Sequence, residues 1–252
     1  MTQSPLAVLR RAFHNFFPPA CAGCEATAAK DRAFCPLCEP LAPRLTPPYC
    51  ARCAVPMRQF SSRADQFSEC SRCRKNPPTF EVMNARWEYD DAVADAIRRI
   101  KYGEDFPALR ALCRGARRWF RAQIGAAPAA SPIVPVPSHR SELRKRGFHL
   151  PTAALRLLLP RSEQGRIDHR LRKTRPTPRQ ASLPLASRRA NVVGVFRDTG
   201  ATTMSSTALL FDDVSTTGST ADAACKALSD AGFRQIRVLV LARAPRPRST
   251  PA

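Results

Sequence analysis

The sequence predicts an α/β fold with a parallel sheet, preceded by a small cysteine-rich zinc module. Three observations carry this prediction. Eight of the ten cysteines form four CxxC pairs in the first third of the chain. Beyond residue 80, strand-like apolar runs alternate with segments of helical periodicity, the pattern of a parallel sheet covered by helices. One of these runs ends in two adjacent aspartates and a hydroxyl-rich turn, from Asp212 to Thr220.

The composition limits the class of protein and its partners. Of 252 residues, 44% are apolar, which is enough for a core, and the formal net charge is +21. Such a charge favours polyanionic partners, namely nucleic acid, phosphorylated metabolites or anionic lipid surfaces. Cysteines paired in this way indicate metal sites in a reducing compartment. There is no secretory signal and no apolar run of about 20 residues, so we expect a cytoplasmic protein without a membrane span.

The four CxxC pairs predict two zinc sites. Two thiolates two residues apart can reach one tetrahedral ion, so two pairs complete a four-cysteine site. The pairs are Cys21/Cys24, Cys35/Cys38, Cys50/Cys53 and Cys70/Cys73. Sequential pairing needs the shorter loops and is favoured, while an interleaved arrangement stays open. Redox dithiols are the alternative, but such motifs rarely come in fours. Cys113 and Cys225 fall in helical patterns and are expected to be buried apolar residues.

The remaining elements follow from hydrophobic period and from turn residues. Strands are predicted at 82–89, 131–138, 207–213 and 235–243, and helices at 90–103, 106–124, 151–159 and 219–232. Residues 160–182 are polar, basic and rich in proline, and are expected to form an exposed loop. We therefore expect a zinc module at 1–80, an α/β domain at 81–243 and a disordered tail at 244–252.

The turn after the aspartates has the composition of a phosphate site. It joins a strand to a helix, so it lies at the carboxyl edge of the sheet, where open α/β folds bind ligands. Amides at the helix N-terminus favour phosphate, and Gly218 allows close approach of the backbone. Carboxylates at Asp212 and Asp213 suit sugar hydroxyls or a hydrated Mg²⁺. A ribose 5-phosphate fits both features, with its phosphate at the turn and its sugar hydroxyls at the carboxylates. The alternative without a ligand is an N-capped helix after two solvated aspartates, although a cap needs only one hydroxyl. No P-loop or dinucleotide-binding motif is present.

Several stretches together resemble a known family. The segment "LLFDDVSTTGST" resembles the phosphoribosyl pyrophosphate (PRPP) motif of type I phosphoribosyltransferases. Four others are similar to the ComF family of competence-associated, phosphoribosyltransferase-like proteins: "FFPPACAGC", "IRRIKYGED", "VPVPSHRSELRKRGFH" and "RQASLPLASRRANVVGVF". The resemblance covers most of the chain. It implies a zinc module ahead of a Rossmann-like type I phosphoribosyltransferase domain, PRPP with Mg²⁺ as ligand, and a link to natural transformation or DNA uptake.

The same resemblance implies roles for individual residues. The implied PRPP-binding residues are Asp212, Asp213, Ser215, Thr216, Thr217, Gly218, Ser219 and Thr220. Among them the two aspartates would contact the ribose hydroxyls, and residues 216–220 would surround the 5-phosphate. The turn formed by Ser138, His139 and Arg140 matches the place of the pyrophosphate loop, and His149 stands where family members commonly carry asparagine. The catalytic residues and the acceptor substrate stay unassigned.

A basic stretch leaves a second function open. Between Ser138 and Arg197 there are 15 lysines and arginines against 3 acidic residues. These residues could hold the pyrophosphate, neutralise nucleic-acid phosphates, or simply decorate an arginine-rich surface. Only Phe148 and Phe196 interrupt the stretch with aromatic rings, so base stacking is poorly supported. The alternative to a PRPP-binding transferase is therefore a non-catalytic module that handles single-stranded DNA, with DNA-uptake proteins as partners.

Overall fold

A computed structural model describes residues 19–57, 68–177, 194–200 and 205–245. Its strands are β1 Val82–Glu88, β2 Ile133–Pro135, β3 Leu171–Lys173, β4 Phe196–Asp198, β5 Thr207–Ser215 and β6 Gln235–Arg243. Its helices are α1 Ser71–Lys75, α2 Asp91–Gly103, α3 Phe106–Gly125, α4 Arg140–Arg146, α5 Leu150–Leu158 and α6 Ser219–Asp230. Single 3₁₀ turns occur at Glu39–Leu41 and Arg161–Arg166.

Four parallel strands form the central sheet, in the order β1-β6-β5-β2. The strands β5 and β6 pair along their whole length, from Thr207 opposite Gln235 to Ser215 opposite Arg243. Strands buried on both faces need apolar side chains at nearly every position, which explains the runs "ALLF" and "VLVLA". The predicted α/β class with a parallel sheet is confirmed, and β3 and β4 add a separate antiparallel pair.

Alternate residues of the sheet face two different cores. Leu209 and Phe211 of β5 belong to the core covered by α2, α3 and α5, and the Phe211 ring meets Phe120 edge to face at 5.6 Å. Ala208 and Leu210 belong to the core covered by α6. Successive residues of a strand point to opposite faces, so β5 contributes side chains to both cores.

The two cysteine-rich segments pack on opposite faces of this sheet. The first, at 19–42, joins the core of α2 and α3. A Cβ added at Gly115 would lie 2.7 Å from the Ala33 backbone, and Phe34 meets Trp87 edge to face at 6.2 Å. The second, at 50–57 and 68–76, joins the core of α6. The proposed domain boundary near residue 80 stays a prediction.

The sequence predicted every strand of the central sheet and all the longer helices. The strand expected at 131–138 is shorter, at Ile133–Pro135. The loop expected at 160–182 is wrong for its first part, which holds the turn at Arg161–Arg166 and the strand β3. Pairing with the distant β4 buries Leu171 to 3% exposure, and local polarity cannot reveal such pairing. Residues 178–182 and most of the predicted tail lie outside the described residues.

Candidate functional site

The cysteines form two four-sulfur clusters. One comprises Cys21, Cys24, Cys35 and Cys38, the other Cys50, Cys53, Cys70 and Cys73, and within each cluster all Sγ atoms lie within 4.8 Å. Zinc–sulfur bonds of about 2.3 Å in a tetrahedron separate the sulfurs by about 3.8 Å. The Cys24–Cys35 and Cys53–Cys70 Sγ pairs are 3.6 and 3.9 Å apart. The donor sets therefore fit two structural zinc ions, and the pairing is sequential.

Backbone amides support the sulfurs. The amides of Gly23 and Cys35 donate to Cys21 Sγ, each at 3.2 Å, and the amide of Cys70 donates to Cys50 Sγ at 3.2 Å. Such hydrogen bonds orient the ligands and favour their thiolate form. Both clusters are thus shaped by the backbone as well as by ligand spacing.

A cleft of about 850 Å³ opens at the carboxyl edge of the sheet. Every residue from Asp212 to Thr220 lines it, including all eight predicted PRPP-binding residues. The facing walls carry basic side chains, which are Arg98, Lys101, Lys145, Arg146 and Lys173. The cleft therefore joins a carboxylate pair, a hydroxyl-rich turn and a set of cations in one space.

The turn is arranged as an anion site at the start of α6. Gly218 has a φ of 81°, a left-handed conformation that glycine adopts without strain. Thr217 Oγ1 accepts from the Ser219 amide at 3.2 Å and donates to Ser219 Oγ at 2.9 Å. The buried Ser215 Oγ has no hydrogen-bond partner among the described residues. First-turn amides have no acceptor within their helix, so the turn offers donors to a ligand.

The two aspartates have different environments. Asp213 forms an ion pair with Lys101 of α2, and their side chains are 9% and 21% exposed. Burial raises the pKa of Asp213, but the Lys101 charge outweighs it and holds that pKa below its ordinary value. Burial and the negative charge of Asp213 raise the pKa of Asp212 well above its ordinary value. Asp212 is the carboxylate whose charge a bound cation or ligand would stabilise.

Replacing Asp212 with asparagine should stabilise the ligand-free protein at pH 7. A carboxyl whose folded pKa is raised opposes folding above its unfolded pKa of about 3.9, so this penalty disappears in the variant. Asparagine keeps an oxygen for the Asp213 amide, which donates to Asp212 Oδ1 at 2.9 Å. We expect the midpoint of thermal unfolding to rise by at least about 2 °C.

Two comparisons serve as controls for this experiment. The gain should vanish below about pH 4, where the wild-type carboxyl is protonated in the unfolded chain as well. The variant Asp230→Asn, which changes an exposed carboxylate at the far end of α6, should leave the midpoint at pH 7 nearly unchanged. A lower midpoint at pH 7 for Asp212→Asn would contradict the electrostatic assignment.

Known proteins match both parts of the chain. Residues 12–74 match the family model described as "Double zinc ribbon domain". Competence protein F of Haemophilus influenzae is 26% identical over 210 residues, which cover 78% of this chain and 85% of the relative. The chain is a homologue of competence protein F. This agrees with the resemblance seen in the motifs, and the double zinc ribbon agrees with the two four-cysteine clusters. Among the described residues, no helix has the length and apolar character needed to cross a membrane.

The structure places the three predicted pyrophosphate-loop residues in different settings. Ser138 lines the cleft. His139 caps α4, since its Nδ1 accepts from the Ser141 amide at 3.2 Å, and Arg140 is exposed on the first turn of that helix. Only Ser138 of the three lines the cleft, and the later α4 residues Lys145 and Arg146 supply two of its five basic side chains.

His149 connects the end of β2 to α5 through two hydrogen bonds. Its Nε2 lies 3.0 Å from the Val136 carbonyl and donates to it, and its Nδ1 accepts from Thr152 Oγ1 at 2.7 Å. Burial lowers the pKa of His149, so the ring is neutral at pH 7. The histidine thus has a structural position behind the cleft wall.

Sequence reasoning missed Lys101 and an aromatic rim. Lys101 lies more than 100 residues from its partner Asp213, and only the packing of α2 beside β5 brings them together. Tyr102 and Phe106 are 56% and 42% exposed. Tyr102 contacts the last residue of α4, and Phe106 contacts the segment after it. The Arg146 guanidinium lies 5.8 Å from the Tyr102 ring centre, and Phe106 meets Phe148 at 5.1 Å. We call these four residues the aromatic rim.

Proposed function

We propose that the cleft binds PRPP together with Mg²⁺, and that the protein is a phosphoribosyltransferase-like protein associated with DNA uptake. One observation carries the proposal. A helix N-terminus rich in hydroxyls and two carboxylates share one cleft with five basic side chains. A ligand with a phosphate, a diol and a second phosphorylated group would use all three features. The homologue is named a competence protein, which supports the link to DNA uptake.

Each group of the ligand would have a distinct set of partners. The 5-phosphate would accept hydrogen bonds from the amides and hydroxyls of residues 216–220. The ribose hydroxyls would donate to the carboxylates of Asp212 and Asp213. The diphosphate would lie toward Lys145, Arg146 and Lys173, although Lys173 also pairs with Glu142 at 2.9 Å.

A magnesium site would need oxygen ligands that are not already committed. Asp213 is paired with Lys101, while Asp212 has no ion pair within the described ranges. Mg²⁺ is commonly held by one or two carboxylates plus substrate phosphates, so Asp212 fits this role. When bound, the ion would offset the charge of the diphosphate. The chain itself would contribute positioning and charge neutralisation, because transfer to an acceptor needs no side-chain nucleophile.

Calorimetric titration of the full chain tests this function. PRPP with Mg²⁺ should bind in the micromolar range, ribose 5-phosphate more weakly, and inorganic phosphate weakest, because each loses contacts in turn. Asp212→Asn should weaken PRPP binding by at least about tenfold, since hydrogen bonds to charged groups contribute roughly 1.5–3 kcal/mol. Asp230→Asn, which changes an exposed carboxylate outside the cleft, is the matched control and should bind normally. No binding of PRPP at millimolar concentration would refute the proposal.

A second function, non-catalytic handling of single-stranded DNA, is favoured by the aromatic rim. Two exposed rings lie beside the basic helix α4, which carries Arg140, Arg144, Lys145 and Arg146. Stacking surfaces next to cations are the common means of binding single strands without sequence preference. The structure thus supplies aromatic groups that the basic stretch alone lacked, since Tyr102 and Phe106 come from α2 and α3.

The DNA hypothesis predicts a steep and specific salt dependence. If five or six side chains neutralise phosphates, the log–log slope of single-strand affinity against salt should be near −4, at about −0.7 for each contact. Arg144→Glu with Lys145→Glu should flatten the slope by about 1.4. Arg118→Glu with Arg121→Glu changes the net charge equally on exposed positions of α3 and should leave the slope nearly unchanged. Equal effects of both double variants, or a wild-type slope near zero, would exclude a binding surface at α4.

A further inference from the structure

The second four-cysteine cluster contacts the back of the anion-binding turn. Arg72, which lies between Cys70 and Cys73, donates from Nη1 to the Thr217 carbonyl. Arg243, the last residue of β6, donates from Nη1 to the carbonyls of Ser215, at 3.0 Å, and Thr216. The same guanidinium donates from Nε to the Cys53 carbonyl at 2.8 Å. Two arginines therefore connect this cluster with three consecutive carbonyls of the turn.

These contacts determine where the amides of the turn point. In a trans peptide, the carbonyl oxygen and the following N–H point in opposite directions. The carbonyls of residues 215, 216 and 217 are drawn toward the cysteine cluster, so the amides of residues 216, 217 and 218 point away from it. The turn lines the cleft, and outward amides are what an anion requires. The arginines thus hold the turn in a form that can bind an anion.

Arg243 needs a negative charge that the cysteine cluster can supply. It is 2% exposed, and no carboxylate pairs with it in the described part of the chain. Its Nη2 lies 3.9 Å from Cys53 Sγ. A buried charge without an opposite charge is strongly unfavourable. Four thiolates around one zinc ion carry a net negative charge, so the metal-loaded cluster is the counter-charge for this guanidinium.

Within the described residues, the first cluster forms no hydrogen bond with the turn. Its segment is connected to the helices on the other face of the sheet, where Arg99 donates to the Ala22 carbonyl. Arg114 donates to the Ala20 and Arg32 carbonyls at 2.8 and 2.9 Å. Like Arg243, Arg114 joins a cysteine segment to the α/β part. Unlike Arg243, it does not contact the turn or the cleft among the described residues.

We propose that the second cluster, loaded with zinc, positions the anion-binding turn through Arg72 and Arg243, so that zinc binding and anion binding are coupled. The identity of the anion rests on the proposed function, whereas the coupling rests on these contacts alone. Coupling between two binding sites is reciprocal, so a sugar phosphate in the cleft should also slow zinc loss from this cluster. Both arginines act as positioning residues because they reach the turn from behind.

Amide hydrogen exchange in the ligand-free protein is the first test. Arg243→Gln should speed exchange of the Ser219 and Asp222 amides, whose acceptors are Thr217 Oγ1 and the Gly218 carbonyl, by about tenfold. Arg72→Gln, an exposed change that spares the core, should do so by a smaller factor. The matched variant Arg114→Gln should leave these amides unchanged. If Arg243→Gln does not fold, Arg72→Gln carries the test. Unchanged exchange in every folded variant would overturn the proposal.

Binding and metal release form the second test. Ribose 5-phosphate affinity should fall by about tenfold in Arg243→Gln and stay the same in Arg114→Gln. In Cys24→Ser, which leaves only the second cluster intact, ribose 5-phosphate should slow the release of zinc to a chelator. If Arg243→Gln speeds exchange but the wild-type protein binds no sugar phosphate, the proposed function is refuted and the positioning of the turn by the cluster stands. Normal binding with unchanged exchange in Arg243→Gln would refute the coupling alone.

Discussion

Replacing Cys35 and Cys38 with serine should remove about one of two zinc ions and unfold residues 19–42, while the parallel sheet stays folded. The segment contributes few large apolar side chains, among them Phe34, to the core. Zinc binding contributes on the order of 10 kcal/mol to the folding of such metal-dependent segments.

Zinc content and tryptophan fluorescence together measure this effect. Loss of the segment removes the Phe34 contact from Trp87, which is 3% exposed, so its emission should shift to the red. Cys113→Ala is the matched control, because Cys113 is buried in α3 outside both clusters, and it should keep the full zinc content. An unchanged zinc content in the serine variant, or loss of the sheet signal in circular dichroism, would contradict the account.

Replacing Lys101 with methionine should destabilise the protein by roughly 3 kcal/mol at pH 7, because it leaves the buried Asp213 carboxylate without its partner. The folded pKa of Asp213 is depressed, so its contribution to stability exists above the unfolded pKa of about 3.9. That contribution is lost as the pH falls through the folded value. The deficit of the variant should therefore be largest near neutral pH and should shrink in acid.

Denaturant unfolding at several pH values measures the deficit. Lys226→Met is the matched control, since Lys226 pairs with Asp230 on the surface with both side chains more than 60% exposed. It should cost less than about 1 kcal/mol at any pH. A Lys101→Met deficit as small as that of the control, or one that grows toward acid pH, would show that Asp213 does not depend on this lysine.

The strands, the turn after the aspartates and the cysteine pairs could be predicted, because each depends on residues that are close together in the sequence. The runs of β5 and β6 are apolar at nearly every position because both faces are buried, and this can be read without knowing the neighbours. The turn from Asp212 to Thr220 is contiguous, so its position at the sheet edge followed from the order of strand and helix. Likewise, the CxxC spacing indicates a pair of metal ligands whatever the surrounding fold.

The parts that depend on distant contacts could not be predicted. Lys101, Arg72 and Arg243 acquire their roles from packing between elements that are far apart in the sequence. The same is true of the two cysteine segments, which lie on opposite faces of the sheet. Adjacent aspartates were predicted as equivalent acceptors. In the structure Asp213 is paired and Asp212 is not, because α2 brings Lys101 within ion-pair distance of Asp213.

The most direct measurement is an NMR titration of the full chain with ribose 5-phosphate. We expect the largest amide shifts at residues 216–220, with smaller ones at Asp212 and Asp213. Asp212→Asn should reduce all of them at equal ligand concentration. Arg118→Glu with Arg121→Glu should titrate as the wild type does. Shifts concentrated elsewhere, or no shifts in the turn at millimolar ligand, would show that the cleft at the end of β5 is not the sugar-phosphate site.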